Sequence, residues 1–306
     1  MSLSACHKEK AETPNPFFEE WTTPYGVPPF DRIRPEHFLP AFERGMSLHN
    51  AEIDAIVSAS DEPTFENTIA AYDAAGRMLQ RTALIFEMLT ASDATPQMQA
   101  VEEEAMPLLA AHADEIRMNE RLFERIEAVY NRRAALPLTA EQLRLTEKLY
   151  RQFVRSGALL DEAGKRRLKE INGELSRLSV KYGNNVLSEN DTFRLELTVD
   201  QLEGLPNAVR EAAREKAREL ELGDKYYVFT LHKPSMLPFL SYSKNRKLRE
   251  QLYTAYLDRC NNDDEYDNKG LVNDYIRLRT EKAHLLGYDS YADYVIADQM
   301  AATPAA

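Results

Sequence analysis

Residues 161–199 read DEAGKRRLKEINGELSRLSVKYGNNVLSENDTFRLELTV, and inside this stretch the spacing of apolar side chains changes. Leu168, Ile171, Leu175, Leu178 and Tyr182 recur in alternating steps of three and four residues, so they share one face of a helix. Asp161 precedes them in the N-cap position. Phe193, Leu195, Leu197 and Val199 then alternate with polar residues, the period of a half-buried strand. A second β-branched and aromatic run, Tyr226–Leu231, follows. A helical pattern at about 207–221 separates the two runs, so they are not a tight hairpin. The expected form is a small antiparallel ribbon on a helical body.

Helices dominate on both sides of this segment. Upstream, one helix is expected over Pro35–Ser58, a second from Thr64 through Leu89, and a third from Thr95 to Tyr130 with a kink at Pro107. Thr139 and Gln142 have the spacing of a capping box ahead of Leu143, Leu149 and Phe153. Downstream, Asn245 caps a helix carrying Leu248, Leu252, Tyr256 and Cys260. Another helix runs from Asn268 to a stop at Gly287, and Ser290 and Asp293 open the next. Thr303-Pro304-Ala305-Ala306 has the pattern of a helix start, which reads as a chain ending where its next helix should begin. Residues 16–40 hold six prolines among aromatics, which predicts an irregular segment whose Phe17, Phe18, Trp21, Tyr25 and Phe30 find cover on the helices. The fold class is mostly α. The organisation is a tail at 1–15, a wrap and helical wall at 16–158, and the long helix, ribbon and further helices at 159–306.

With 306 residues, 43% of them hydrophobic, the chain is long enough for a sizeable core. The formal net charge of −12 disfavours nucleic acid as a partner, because an acidic surface repels phosphate. Two cysteines cannot build a disulfide framework. Cys260 reads as a small core residue in a helical pattern. Cys6 stands in Leu3-Ser4-Ala5-Cys6, which resembles the bacterial lipobox in which the cysteine receives lipid, although no basic or apolar signal segment precedes it. That reading places the protein in the cell envelope with a membrane tether only at Cys6; otherwise it is cytoplasmic.

Hydrolytic zinc needs closely spaced imidazoles and a carboxylate, as in a helical H-E-x-x-H. The histidines are His7, His37, His49, His112, His232 and His284, and no two lie four residues apart. Glu281 and His284 have the Glu-x-x-His spacing of a di-iron half-site but lack a second such pair. Glycine is scarce, and neither a phosphate-cradling loop nor a G-x-S-x-G elbow occurs. No catalytic and no metal-ligating residue is assigned. Tyr226, Tyr227, Tyr253 and Tyr256 either line a peptide groove or pack in the core.

Several segments resemble a known family. Asn15-Pro16-Phe17-Phe18, Pro24-Tyr25, Phe30-Asp31, His37-Phe38 and Pro40-Ala41-Phe42 look like its opening, and Pro63-Thr64-Phe65-Glu66-Asn67-Thr68 matches a family motif. Phe153-Val154-Arg155-Ser156-Gly157-Ala158, Pro238-Phe239-Leu240, Asn245-Arg246, Leu248-Arg249, Leu252-Tyr253 and Ala255-Tyr256 keep the same register. So do Leu278-Arg279, Glu281-Lys282-Ala283, Leu285-Leu286-Gly287-Tyr288 and Tyr291-Ala292. The family is that of the zinc metallopeptidases peptidyl-dipeptidase Dcp, oligopeptidase A, thimet oligopeptidase and neurolysin.

The resemblance covers residues 15–306, corresponds to the N-terminal half, and implies a helical, neurolysin-like channel peptidase fold. It implies that zinc and the H-E-x-x-H helix belong to a longer parent's C-terminal half. The substrates it implies are short unstructured peptides, which lose C-terminal dipeptides. This chain, without a cofactor of its own, would shape the channel and be inactive alone. The alternative is a stand-alone helical module that binds peptides without cutting them. In the half-enzyme case, apolar stripes near Tyr253, Tyr256 and Tyr275–Leu285 should be less covered than those of residues 64–90, because their partner surface lies in the other half.

Overall fold

The computed structural model describes residues 14–306, which form a mostly helical protein with one two-stranded antiparallel sheet. The chain divides into two compact units. One holds the described residues up to Arg177 together with Lys282–Ala306, and the other is Leu178–Glu281. The divisions fall inside two helices and not at residue 158.

In the first unit, residues 16–37 are irregular apart from three short 3-10 turns, as the prolines predict. Only part of the expected cover exists. Phe17 is buried and Trp21 half-buried, while Phe18, Tyr25 and Phe30 face solvent. The sequence overstates the wrap because aromatics flanked by prolines cannot all turn to one side. Helix α1 (Phe38–Ser58) follows without a break. The helix expected from Thr64 is interrupted. A π-turn over Phe65–Ala70 runs into the short α2 (Ala71–Ala74), and α3 (Arg77–Ser92) restarts after Gly76. Gly76 has φ +74°, which favours glycine, and its N–H donates to Glu52 Oε2 of α1 at 2.6 Å. The third helix is also two: α4 (Pro96–Arg117) and α5 (Glu120–Arg132). The chain stays helical through Pro107 and breaks at Asn119, whose side chain accepts from Leu122 N–H at 3.0 Å. A proline removes one hydrogen bond, whereas an N-cap asparagine offers the backbone a competing one. Helix α6 (Ala140–Arg155) opens with the Thr139–Gln142 capping box, closed at 3.0 and 3.2 Å.

Two apolar clusters fill this unit. One joins Phe17, Phe38, Phe42 and Phe86 with ring centroids 5.0–6.4 Å apart. The other gathers Ile53, Phe65, Ile69, Leu122, Ile126 and Phe153. Arg155 fastens the distal segment to α6. Its guanidinium donates to the Tyr294 carbonyl at 2.6 Å and the Tyr288 hydroxyl at 3.2 Å, and lies 4.5 Å from the Tyr294 ring centroid. Buried Asp114 accepts both its hydrogen bonds from the Asn172 amide, which in turn accepts from Lys282 at 2.6 Å.

Helix α7 (Glu162–Thr192) begins with Asp161 accepting from Gly164 N–H at 2.7 Å. In the second unit β1 (Leu195–Leu197) pairs with β2 (Tyr227–Phe229), Leu195 opposite Phe229 and Leu197 opposite Tyr227. The strands are shorter than the alternating runs, but the ribbon is antiparallel as expected. Helix α8 (Asn207–Glu219) lies between them in sequence and packs on β2. Helices α9 (Lys233–Tyr242) and α10 (Arg246–Leu257) complete a core of Leu197, Leu202, Phe229, Met236, Phe239 and Leu252. Asn245 caps α10 through Leu248 N–H at 3.2 Å. Helix α11 (Lys269–Leu285) stops before Gly287, and α12 (Tyr291–Ile296) is capped by Ser290. Residues 303–306 form a turn closed from Ala306 N–H to the Thr303 carbonyl at 3.2 Å, not a helical turn.

Candidate functional site

The second unit carries open grooves at its surface. A groove of about 360 Å³ runs between the C-terminal part of α7 and α11. Leu178, Ser179 and Tyr182 form one side; Leu271, Val272, Tyr275, Ile276 and Arg279 form the other. The helical period explains the stripe, since 271/272, 275/276 and 279 recur on one face of α11. Tyr182 is 47% exposed and Ile276 59%, values unusual for residues of this size in a contiguous patch. Tyr275 Oη accepts from Arg279 at 3.2 Å, and the guanidinium lies 4.2 Å from the Tyr275 ring centroid, so the groove has a cationic end. A second hollow, about 430 Å³, is lined by Leu240, Arg246, Arg249, Glu250 and Tyr253.

The expected contrast in cover holds in part. Tyr253 and Ile276 are exposed and Phe65, Ile69, Ile85 and Phe86 are buried, but Leu84 and Met88 within 64–90 are exposed as well. Leu278 and Ala283 of the same helix are fully buried, so α11 is covered along part of its length. Among the tyrosines, Tyr227 and Tyr256 pack against the core, and Arg259 stacks on the Tyr256 ring at 3.9 Å. Tyr253 faces solvent at the second hollow.

His37, His232 and His284 make local contacts. His37 accepts from Arg34 N–H through Nδ1 at 3.0 Å and is buried. His232 pairs with Thr230, and His284 with the Asp289 carbonyl, both at the surface. The Glu281–His284 pair acquires no partner set: among the described residues no three His, Cys, Asp or Glu side chains converge where a metal ion would sit. One pairing escapes sequence spacing. His49 Nδ1 of α1 and His112 Nε2 of α4 lie 3.0 Å apart, although 63 residues separate them.

Glu189 near the end of α7 is buried and holds the loop after α10. It accepts from Cys260 N–H and, at 2.6 Å, from Asn262 Nδ2. Burial, reinforced by the Glu189 carboxylate, pushes the Cys260 thiol up to about 11, which makes it an inert core residue. Cys6 and His7 lie outside the described residues. Among those residues, no helix is long and apolar enough to cross a membrane.

Comparison with known proteins places these surfaces in a lineage. Residues 239–306, beginning within α9, match the model of Peptidase family M3. Dipeptidyl carboxypeptidase of Escherichia coli (strain K12) is 36% identical over 295 residues, covering 96% of this chain and 43% of the relative. Oligopeptidase A of the same organism is 29% identical across 92% of this chain and 42% of its own length. Saccharolysin of Saccharomyces cerevisiae matches over 53% of this chain at 29% identity. The chain thus spans less than half the length of the curated relatives it matches.

Proposed function

We propose, on the premise that this chain is a relative of the Peptidase family M3 enzymes along nearly its whole length, that it is the N-terminal portion of a zinc peptidyl-dipeptidase. Higher identity to dipeptidyl carboxypeptidase than to oligopeptidase A supports that subtype. In the whole enzyme, zinc would polarise the scissile carbonyl and activate water, and dipeptides would leave from the C-termini of short unstructured peptides. The residues described here do not fit that metal, because no ligand set converges. This portion contributes channel wall and no step of hydrolysis. The observation that carries the reading is the shared stretch, which covers 96% of this chain but 43% of the E. coli relative.

The open groove of α7 and α11 follows from the same reading. Its apolar stripe is the surface on which the C-terminal catalytic half would seat. A peptidase assay with short peptides tests the proposal: the purified 306-residue chain should release no C-terminal dipeptide. Release of dipeptides by this chain would overturn it. Saturable binding of short peptides without cleavage would instead favour a stand-alone binding module. For location, we infer a cell-envelope lipoprotein from Leu3-Ser4-Ala5-Cys6. Fatty-acid labelling that vanishes in Cys6→Ser supports it, and an unlabelled chain in the soluble fraction supports the cytoplasm.

A further inference from the structure

The His49–His112 pair stands at the wall of a cavity of about 370 Å³, separate from the groove and unused by the proposed function. Tyr72, Asp73, Gly76, Gln80 and Arg117 share that wall. His112 is buried and His49 half-buried, and their rings face each other at 5.1 Å between centroids. At this separation two neutral rings share one hydrogen bond, in which one ring donates and the other accepts according to tautomer. The His49 ring also rests on the Gly76 backbone, where an added Cβ would meet it at 3.1 Å. Gly76 N–H in turn is held by Glu52, one turn after His49 on α1. The α1 imidazole is therefore gripped from two sides, and its remaining tie to α4 is His112.

We propose that His49 and His112 form an acid-opened latch between α1 and α4. With both rings neutral, an N–H···N bond joins the helices. One proton added to the outer nitrogen of the donating ring leaves a charge-assisted bond, because the bridging nitrogen of the accepting ring still carries its lone pair. A second proton removes the last acceptor. Two N–H⁺ groups then face each other across 3.0 Å, and attraction becomes repulsion. The charged groups facing the pair are Glu52 from α1, Asp73 after the π-turn, and Glu115 and Arg117 from α4, with the Tyr72 phenol beside them. Burial lowers the affinity of both rings for protons. For His49 the neighbouring His112 adds to this and Glu52 opposes it; for His112 Glu115 opposes it. Both folded-state values lie below the usual 6.5, so the neutral rings favour the fold. That contribution is complete above pH 6.5 and is lost as pH falls through the folded pair's own titration.

Imidazole NMR of the full chain between pH 8 and 4.5, combined with backbone hydrogen exchange, tests the latch. The pair should titrate in two coupled steps, the second about one unit or more below the first. Exchange in 45–53 and 109–116, corrected for intrinsic pH dependence, should rise at least about tenfold through the second step. In His49→Gln, His112 should titrate in one step, and that rise should disappear; His112→Gln should mirror it. His232 and His284 provide resonances from outside the pair. Independent single-site curves for both rings, or an exchange rise unchanged in both variants, would overturn the proposal. Should a variant fail to fold, the wild-type titration still decides.

Discussion

Single residues carry the sharpest tests of the fold. Gly204 has φ +90°, and a Cβ there would collide with the Tyr242 carbonyl oxygen. Gly204→Ala should cost about 2–4 kcal/mol in urea unfolding, since strain and a backbone clash add. Arg155→Ala removes two charged hydrogen bonds and a stacked cation, and should cost about 2–3 kcal/mol while exposing Trp-free tyrosine surface around Tyr288 and Tyr294. Local chemistry of this kind was partly written in the sequence. Asp161, Thr139, Asn245 and Ser290 were legible as caps because a cap needs only its own side chain and the next turn. The His49–His112 contact was not, because no spacing rule reports which faces of α1 and α4 meet.

At the scale of elements, the Glu189 tether is the clearest coupling. Replacing it by alanine leaves the Cys260 N–H and the Asn262 amide without their acceptor. In a Cys6→Ser background, Glu189→Ala should raise the labelling rate of Cys260 by thiol reagents about tenfold at pH 8, as the loop opens and the thiol titrates closer to its usual range. Unchanged labelling, read by peptide mass mapping, would show that packing alone protects the thiol. Element boundaries explain where sequence reasoning ran short. Helical periodicity continues through Gly76 and Asn119, so the two breaks hide inside it. What decides them is a tertiary partner, Glu52, in one case and a competing cap in the other. Strand alternation extended past the Leu195–Phe229 end of the ribbon because Phe193 and Leu231 join the core without ladder pairing.

At the scale of the whole molecule, the open stripe of α7 and α11 has a consequence in solution. Val272→Asp with Ile276→Asp should reduce binding of a hydrophobic dye to the folded chain and weaken any self-association seen by sedimentation, with little change in stability, because both residues are exposed. A large stability loss would mean that the stripe is internal packing and not a seat for further polypeptide. The family resemblance was legible across nearly the whole chain because its motifs are collinear, and the relatives' coverage agrees with it. No catalytic chemistry was legible in the residues, since the sequence assigns neither a catalytic nor a metal-ligating side chain. The most direct measurement is zinc content of the purified chain after equilibrium dialysis at pH 7.5, with peptide cleavage followed in the same sample. The expected result is no stoichiometric zinc held tighter than about 1 μM and no cleavage. One tightly held zinc per chain accompanied by dipeptide release would contradict the account.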